Sequence, residues 1–182
     1  MIIGKIKSSV IIFSIIYFIV LVGVAHADDS VETTGDVLQI VLPSVAYAMT
    51  FGYKDAEGRN RFYKSFLTTL SITYGLKLSV DKKRPNGGDM SFPSGHTSAA
   101  FSGASFIQRR YGWKFGLPAY LAASYVGWSR VESDNHFTED VLAGALIGTA
   151  STYFFTKPYN PKINASFYYS RKFRGLAITG RW

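Results

Sequence analysis

Three short polar stretches interrupt an otherwise apolar chain, and between them they hold most of what could do chemistry. The first is KLSVDKKRP, with Lys77 and Arg84 seven residues apart. The second is PSGH, residues 93–96, and the third is SRVESDNHFTED, residues 129–140. Taken singly, each has a bland reading: a surface lysine, a turn before a helix, an Arg130–Asp140 structural pair, a histidine satisfied by its neighbours. Taken together, they suit a phosphate. Arginine offers a planar donor fork that matches phosphate oxygens, so Lys77, Arg84 and Arg130 could clamp one. Ser94 and Gly95 stand where a helix begins, and the N–H groups and dipole of a helix start attract anions. Gly95 has no side chain to keep the backbone away. A neutral imidazole attacks phosphorus well when its tautomer is held. Asp140, four residues after His136, is one helical turn away and could hold it. His96 could protonate the departing oxygen.

Helices are expected to carry these stretches. Residues 36–53 are apolar with a few polar breaks, and Pro43 is expected to kink or break the helix there. Residues 54–61, KDAEGRNR, read as a polar loop. Apolar positions at Phe62, Phe66, Leu70 and Thr73 recur every three to four residues and predict a helix over 62–80. The prolines and glycines of residues 81–95 then force a long loop, a place where function concentrates. Small-residue-rich helices follow, one from PSGH to about Gly112, one over 113–130 and one from Thr138. Thr138 is the expected N-cap, with Glu139 and Asp140 in the first turn. The tail from Ile163 to Trp182 alternates apolar and polar and predicts a short β-hairpin; its other reading is a frayed basic tail. The fold class expected is all-α: a compact bundle of about five or six helices, with the site at one end.

The chain has 182 residues, a formal net charge of +8 and no cysteine. That length favours one domain, and the missing cysteine rules out disulfides, thiolate metal sites and a cysteine nucleophile. With 47% hydrophobic and 16% aromatic residues, the chain is not disordered. The positive charge suits an anionic partner: phosphate groups or an acidic membrane surface. No zinc-finger spacing or long basic run points to nucleic acid. At the front, Lys5 and Lys7 precede an uncharged apolar run over residues 8–24, and Ala25-His26-Ala27 precedes Asp28. That order is a secretory signal, residues 1–27, with an uncleaved anchor as the alternative. A bundle over 28–160 and a tail over 161–182 would follow. The site would then lie in a periplasm or on the outer face of the cytoplasmic membrane. No segment after residue 27 carries the roughly twenty consecutive apolar residues of a membrane-spanning helix. A bundle outside the cytoplasm is therefore favoured, with an integral membrane protein as the alternative.

Read as K-x6-R-P over 77–85, P-S-G-H over 93–96 and S-R-x5-H-x3-D over 129–140, the three stretches resemble the type 2 phosphatidic acid phosphatase and vanadium haloperoxidase superfamily. The resemblance covers about residues 60–156. It implies a helical bundle and a phosphatase that needs no metal or other cofactor. His136 would be the nucleophile that forms a phosphohistidine, with Asp140 orienting it. His96 would be the general acid and then the base for water. Lys77, Arg84, Ser94, Gly95 and Arg130 would hold the phosphoryl oxygens. Exported members of the family include lipid phosphatases and soluble acid phosphatases. The expected substrate is a phosphorylated lipid. The alternatives are a soluble periplasmic non-specific acid phosphatase and, from a different class, a non-catalytic basic envelope protein.

Overall fold

The computed structural model describes residues 30–160, together with the backbone of two strands further on. The signal expected over residues 1–27 lies outside the described residues. Five helices form within them: α1 (Ser30–Gly52), α2 (Ala56–Ser79), α3 (Gly95–Tyr111), α4 (Trp113–Glu132) and α5 (Thr138–Phe155). The all-α bundle is thus as expected, at the lower of the two helix counts. Strands β1 (Ile163–Tyr169) and β2 (Arg174–Gly180) pair antiparallel, with Ile163 opposite Gly180.

Helix α3 is the centre of the bundle and packs against each of the other four. Its small residues allow this. Ala100, Ser102, Gly103, Ala104 and Ser105 are all buried, so neighbouring backbones come close. Gly144 of α5 shows how close: a Cβ there would stand 2.5 Å from the Ser94 carbonyl oxygen. The buried hydroxyls of this tight core satisfy one another, as buried polar groups must. Thr73 of α2 donates to Ser98 of α3 at 3.0 Å, and Ser102 bonds Thr152 of α5 at 3.2 Å. Larger rings gather towards the other end, where Phe62 stacks on Phe66 and meets Phe106 edge to face.

Three expectations fail at helix starts. Residues 54–61 are not a loop, because α2 begins at Ala56 with Asp55 as its N-cap, accepting from the Gly58 N–H at 2.8 Å. Asp55 also takes two hydrogen bonds of 2.6 Å from Arg110, at the end of α3. A tertiary ion pair thus extends a helix whose local sequence is polar. For α5 the N-cap is Phe137, one residue before the expected Thr138. Phe137 has no capping oxygen, and Asp140 supplies one by accepting from the Phe137 N–H at 3.1 Å. Helix α1 runs through Pro43 without ending and starts six residues before the expected position 36.

Candidate active site

The start of α1, the end of α2, the start of α3, the end of α4 and the start of α5 share one end of the bundle. The link between α2 and α3 is stitched to the link between α4 and α5. Asn86 N–H donates to the Asp134 carbonyl at 3.1 Å, and Ser94 N–H donates to the Asp140 carbonyl at 2.9 Å. These bonds bring the three polar stretches together. Residues 54–61, at the Asp55–Arg110 end, are a helix length of about 25 Å away from them.

His136 sits in the short connection before α5, with 2% of its side chain exposed. Its backbone N–H donates to the Arg130 carbonyl at 3.0 Å, which ties it to the end of α4. Its Nδ1 is 3.7 Å from Asp140 Oδ2 and has no hydrogen-bond partner. The expected orienting partner is therefore in place at ion-pair distance rather than hydrogen-bonded. The reason lies in what else Asp140 does. This fully buried carboxylate accepts from Lys82 Nζ at 2.7 Å, Ser91 Oγ at 2.5 Å and the Phe137 N–H. Burial opposes its ionisation, yet these donors hold the carboxyl below the usual carboxylate range.

A second carboxylate, Asp36 of α1, links two of the expected residues. Its Oδ1 is 3.0 Å from His96 Nε2 and accepts from Arg130 Nη1 at 2.7 Å. Arg130 is 2% exposed. Its other donors reach the Glu32 carbonyl at 2.6 Å and Ser129 Oγ. The guanidinium expected to clamp phosphate thus bonds to α1. Gly35 makes the approach feasible, since a Cβ there would stand 2.5 Å from Arg130 Nη2 and 2.1 Å from Ser129 Oγ.

Lys77 and Arg84 are partly buried beside these groups. Lys77 Nζ donates to the Met90 carbonyl at 2.7 Å, and Arg84 Nε to the Asp89 carbonyl at 3.0 Å. Ser94 is buried as the N-cap of α3, its Oγ accepting from Thr97 Oγ1 at 2.9 Å. As the first residues of α3, Gly95 and His96 have N–H groups without an intrahelical acceptor. A Cβ on Gly95 would meet only ordinary contacts, 3.5 Å from Lys77 Cε. The chain itself does not require a glycine there.

These groups act on one another's charge. Burial, with the positive charges of Lys77 and Arg84, brings His136 down to about 4, against the pull of Asp140. His96 adds to the same lowering. Burial, with Arg130 and Arg84, lowers His96 against the pull of Asp36. Burial and Arg84 bring Lys77 down to about 8. His136 is therefore neutral near pH 7, in a pocket whose cations repel further protons.

Sequence reasoning passed over Lys82, Ser91, Asp36 and Glu32. Lys82 is in the first polar stretch, so only its spacing hid it. Asp36 and Glu32 lie in a helix far upstream, and nothing local marks them. Among the described residues, no group of three or more His, Cys, Asp or Glu side chains is placed to hold a metal ion.

Two histidines, the buried Asp140 beside one and the half-exposed Asp36 beside the other, and a ring of cations at one end of a helical bundle define a class: helical phosphatases built on a histidine pair. Comparison with known proteins agrees. The PAP2 superfamily profile matches residues 57–163, which include all three polar stretches. The chain is 34% identical over 143 residues to the lipid A 4'-phosphatase of Helicobacter pylori, strain J99, covering 72% of each chain. It is 34% identical over 140 residues to lipid phosphate phosphatase 2 of Arabidopsis thaliana, covering 62% of this chain and 48% of that one. The crystal structure of Aquifex aeolicus LpxE matches with a TM-score of 0.57, covering 76% of this chain and 92% of that one. At 20% identity, that likeness speaks for the fold alone. The chain belongs to the PAP2 superfamily and is a phosphatase of that superfamily.

Proposed function

We propose that this chain hydrolyses the phosphate ester of a lipid through a phosphohistidine formed on His136. The observation that carries the reading is the setting of His136: buried, neutral, Nδ1 towards Asp140, with Lys77, Arg84 and His96 acting on it. Nε2 then attacks phosphorus in line with the ester oxygen. The P–O bond breaks, and the leaving alkoxide takes a proton from His96 in its imidazolium form, which Asp36 and the charge of the bound phosphate favour. Asp140 stabilises the positive charge that develops on the His136 ring. In the second step His96 removes a proton from water, the hydroxide attacks phosphorus, and the P–N bond breaks to release inorganic phosphate. Lys77, Arg84 and the first N–H groups of α3 hold the phosphoryl oxygens. Such transfers depend mainly on positioning and charge stabilisation.

The relatives named above support a lipid as substrate. So does the outer surface, where Leu78, Leu142, Leu146 and Phe154 are 81%, 64%, 69% and 83% exposed. Exposed apolar side chains on this scale suit a lipid surface better than water. No helix of the described residues is long and apolar enough to cross a membrane. We place the site outside the cytoplasm, carried there by the signal read over residues 1–27, with the bundle at the membrane face.

The test is fractionation of the expressed chain, followed by assay of the active fraction on phosphatidic acid and on para-nitrophenyl phosphate. We expect activity in the membrane fraction and a preference for the lipid. His136→Ala should lose at least about three orders of magnitude in rate, and vanadate should inhibit the wild type. Turnover retained in His136→Ala would show that another group is the nucleophile.

A further inference from the structure

Among the described residues, His136 Nδ1 is one of two buried side-chain polar atoms without a hydrogen-bond partner. Buried polar groups are otherwise paired, and a neutral ring that attacks through Nε2 carries its proton on Nδ1. The acceptor facing that proton, Asp140 Oδ2, stands 3.7 Å away. A carboxylate oxygen offers two lone pairs, and both of these are engaged. The Ser91 hydroxyl donates to one at 2.5 Å, and the Phe137 N–H donates to the other at 3.1 Å. The Phe137 N–H belongs to the backbone of the α5 cap and is fixed there. A hydroxyl turns about a single bond, so Ser91 is the donor that can yield to His136. Its own N–H donates to the Lys82 carbonyl at 2.9 Å, which keeps the backbone in place while the hydroxyl turns. The two residues before Ser91 hold the cations of the site. Lys77 Nζ is on the Met90 carbonyl at 2.7 Å, and Arg84 Nε is on the Asp89 carbonyl at 3.0 Å. Met90 has a φ of 54°, in the left-handed region that a methionine rarely adopts. Backbone of that kind persists only where its surroundings hold it, and the two cations do so here.

We propose that Ser91 is a positioning residue for the nucleophile: its hydroxyl holds Asp140 off His136 until phosphate draws Lys77 and Arg84 away from Met90 and Asp89. This role rests on the phosphatase reading and deepens it. Phosphate oxygens carry charge and outcompete neutral carbonyls for both cations. Residues 89–91 then relax, the Ser91 hydroxyl turns away from Oδ2, and the freed lone pair accepts the His136 Nδ1 proton. The carboxylate and ring need to close by less than about 1 Å to reach hydrogen-bond range. The imidazole thereby becomes the stronger nucleophile only when a phosphate is present, with Asp140 set to stabilise the charge that the ring takes on. The other charged groups nearby stay as they are. Lys77, Arg84 and His96 act on His136, Lys82 and Glu139 sit beside Asp140, and Asp36 and Arg130 act on His96. A change at Ser91 alters none of them.

The test reads the His136 Nδ1 proton by NMR near neutral pH, in the full chain carrying isotope-labelled histidine, with inorganic phosphate as the probe. The chain has three histidines, and the signal is assigned by its absence in His136→Ala. A ring proton bonded to a carboxylate resonates far downfield. Ligand-free wild type should lack that resonance, and saturating phosphate should bring it out. Ser91→Ala should show it without phosphate, and Ser91→Thr, which keeps the hydroxyl, should behave as wild type. Turnover of para-nitrophenyl phosphate gives a second readout. A bond to Asp140 favours the imidazolium and raises the pH at which the ring becomes neutral, so Ser91→Ala should move the acid limb of kcat/KM up by about one pH unit. Lost packing alone would lower turnover and leave the limb in place. A ligand-free spectrum that Ser91→Ala leaves unchanged overturns the proposal. So does a wild-type spectrum that phosphate leaves unchanged, a comparison that needs no variant to fold. Wild-type protein inert towards para-nitrophenyl phosphate and lipid phosphate alike would instead overturn the phosphatase reading.

Discussion

Asp36 and Lys82 are two further residues whose roles the structure adds. Asp36 Oδ1 bridges Arg130 and His96 much as a phosphoryl oxygen would. Substrate must then compete with it for the guanidinium. Removing that competitor in Asp36→Asn should tighten inorganic phosphate or vanadate as inhibitor about fivefold, the scale of a half-exposed ion pair near 1 kcal/mol. Weaker inhibition would mean that Asp36 instead holds Arg130 in place. Lys82 acts through Asp140, to which it donates at 2.7 Å while also neutralising much of its charge. Lys82→Met should lower kcat about tenfold to a hundredfold, the worth of a hydrogen bond to a charged group. The sign of its pH effect follows from His136, whose folded pKa of about 4 is below its ordinary 6.5. Leaving Asp140 uncompensated favours the imidazolium and raises that pKa, so less neutral nucleophile remains in acid. The acid limb of kcat/KM should move to higher pH in Lys82→Met and return in Lys82→Arg. An unmoved limb would reduce Lys82 to a surface contact.

Helix ends, rather than helix middles, decide the site, and their spacing depends on small residues. Gly144 lies one turn after Asp140 on α5, against the Ser94 carbonyl of α3. A methyl at 2.5 Å from that oxygen must push the two helices apart, and with them His136, Asp140 and the cap of α3. Gly144→Ala should therefore cost about 1–3 kcal/mol of stability and depress kcat as well, read by thermal unfolding and turnover. Gly52→Ala, where an added Cβ meets nothing within 4 Å, is the matched control and should be nearly neutral in both.

The molecule is held at its two ends by different means. One end carries the cations and carboxylates of the candidate site; the other is locked by the Asp55–Arg110 pair, with Tyr111 donating to Asp55 at 3.1 Å. Both charges of that pair are almost fully buried, at 3% and 2% exposure. Removing one partner leaves the other uncompensated, so Arg110→Ala should lose about 3–5 kcal/mol in denaturant unfolding. Because the pair stands a helix length from His136, the folded fraction should keep kcat within about twofold. A large fall in kcat at full folding would mean that the ends are coupled through α3.

Much of this was legible in the chain alone, because helix periodicity and motif spacing are local properties. Apolar recurrence located the helices, and the three polar stretches named His136, His96, Asp140 and the cations, which the bundle brings to one end. Only the packed bundle could decide which acids face which bases. Asp36 is 94 residues from Arg130, and Asp55 is 55 from Arg110; no window of sequence holds both members of either pair. The same holds for helix starts that depend on a distant partner, as at Asp55, and for Arg130, whose guanidinium bonds to α1. Side-chain identity sets which charges are available. Burial in a shared low-dielectric space, which exists only once the helices have closed on one another, sets which of them meet and how strongly they act.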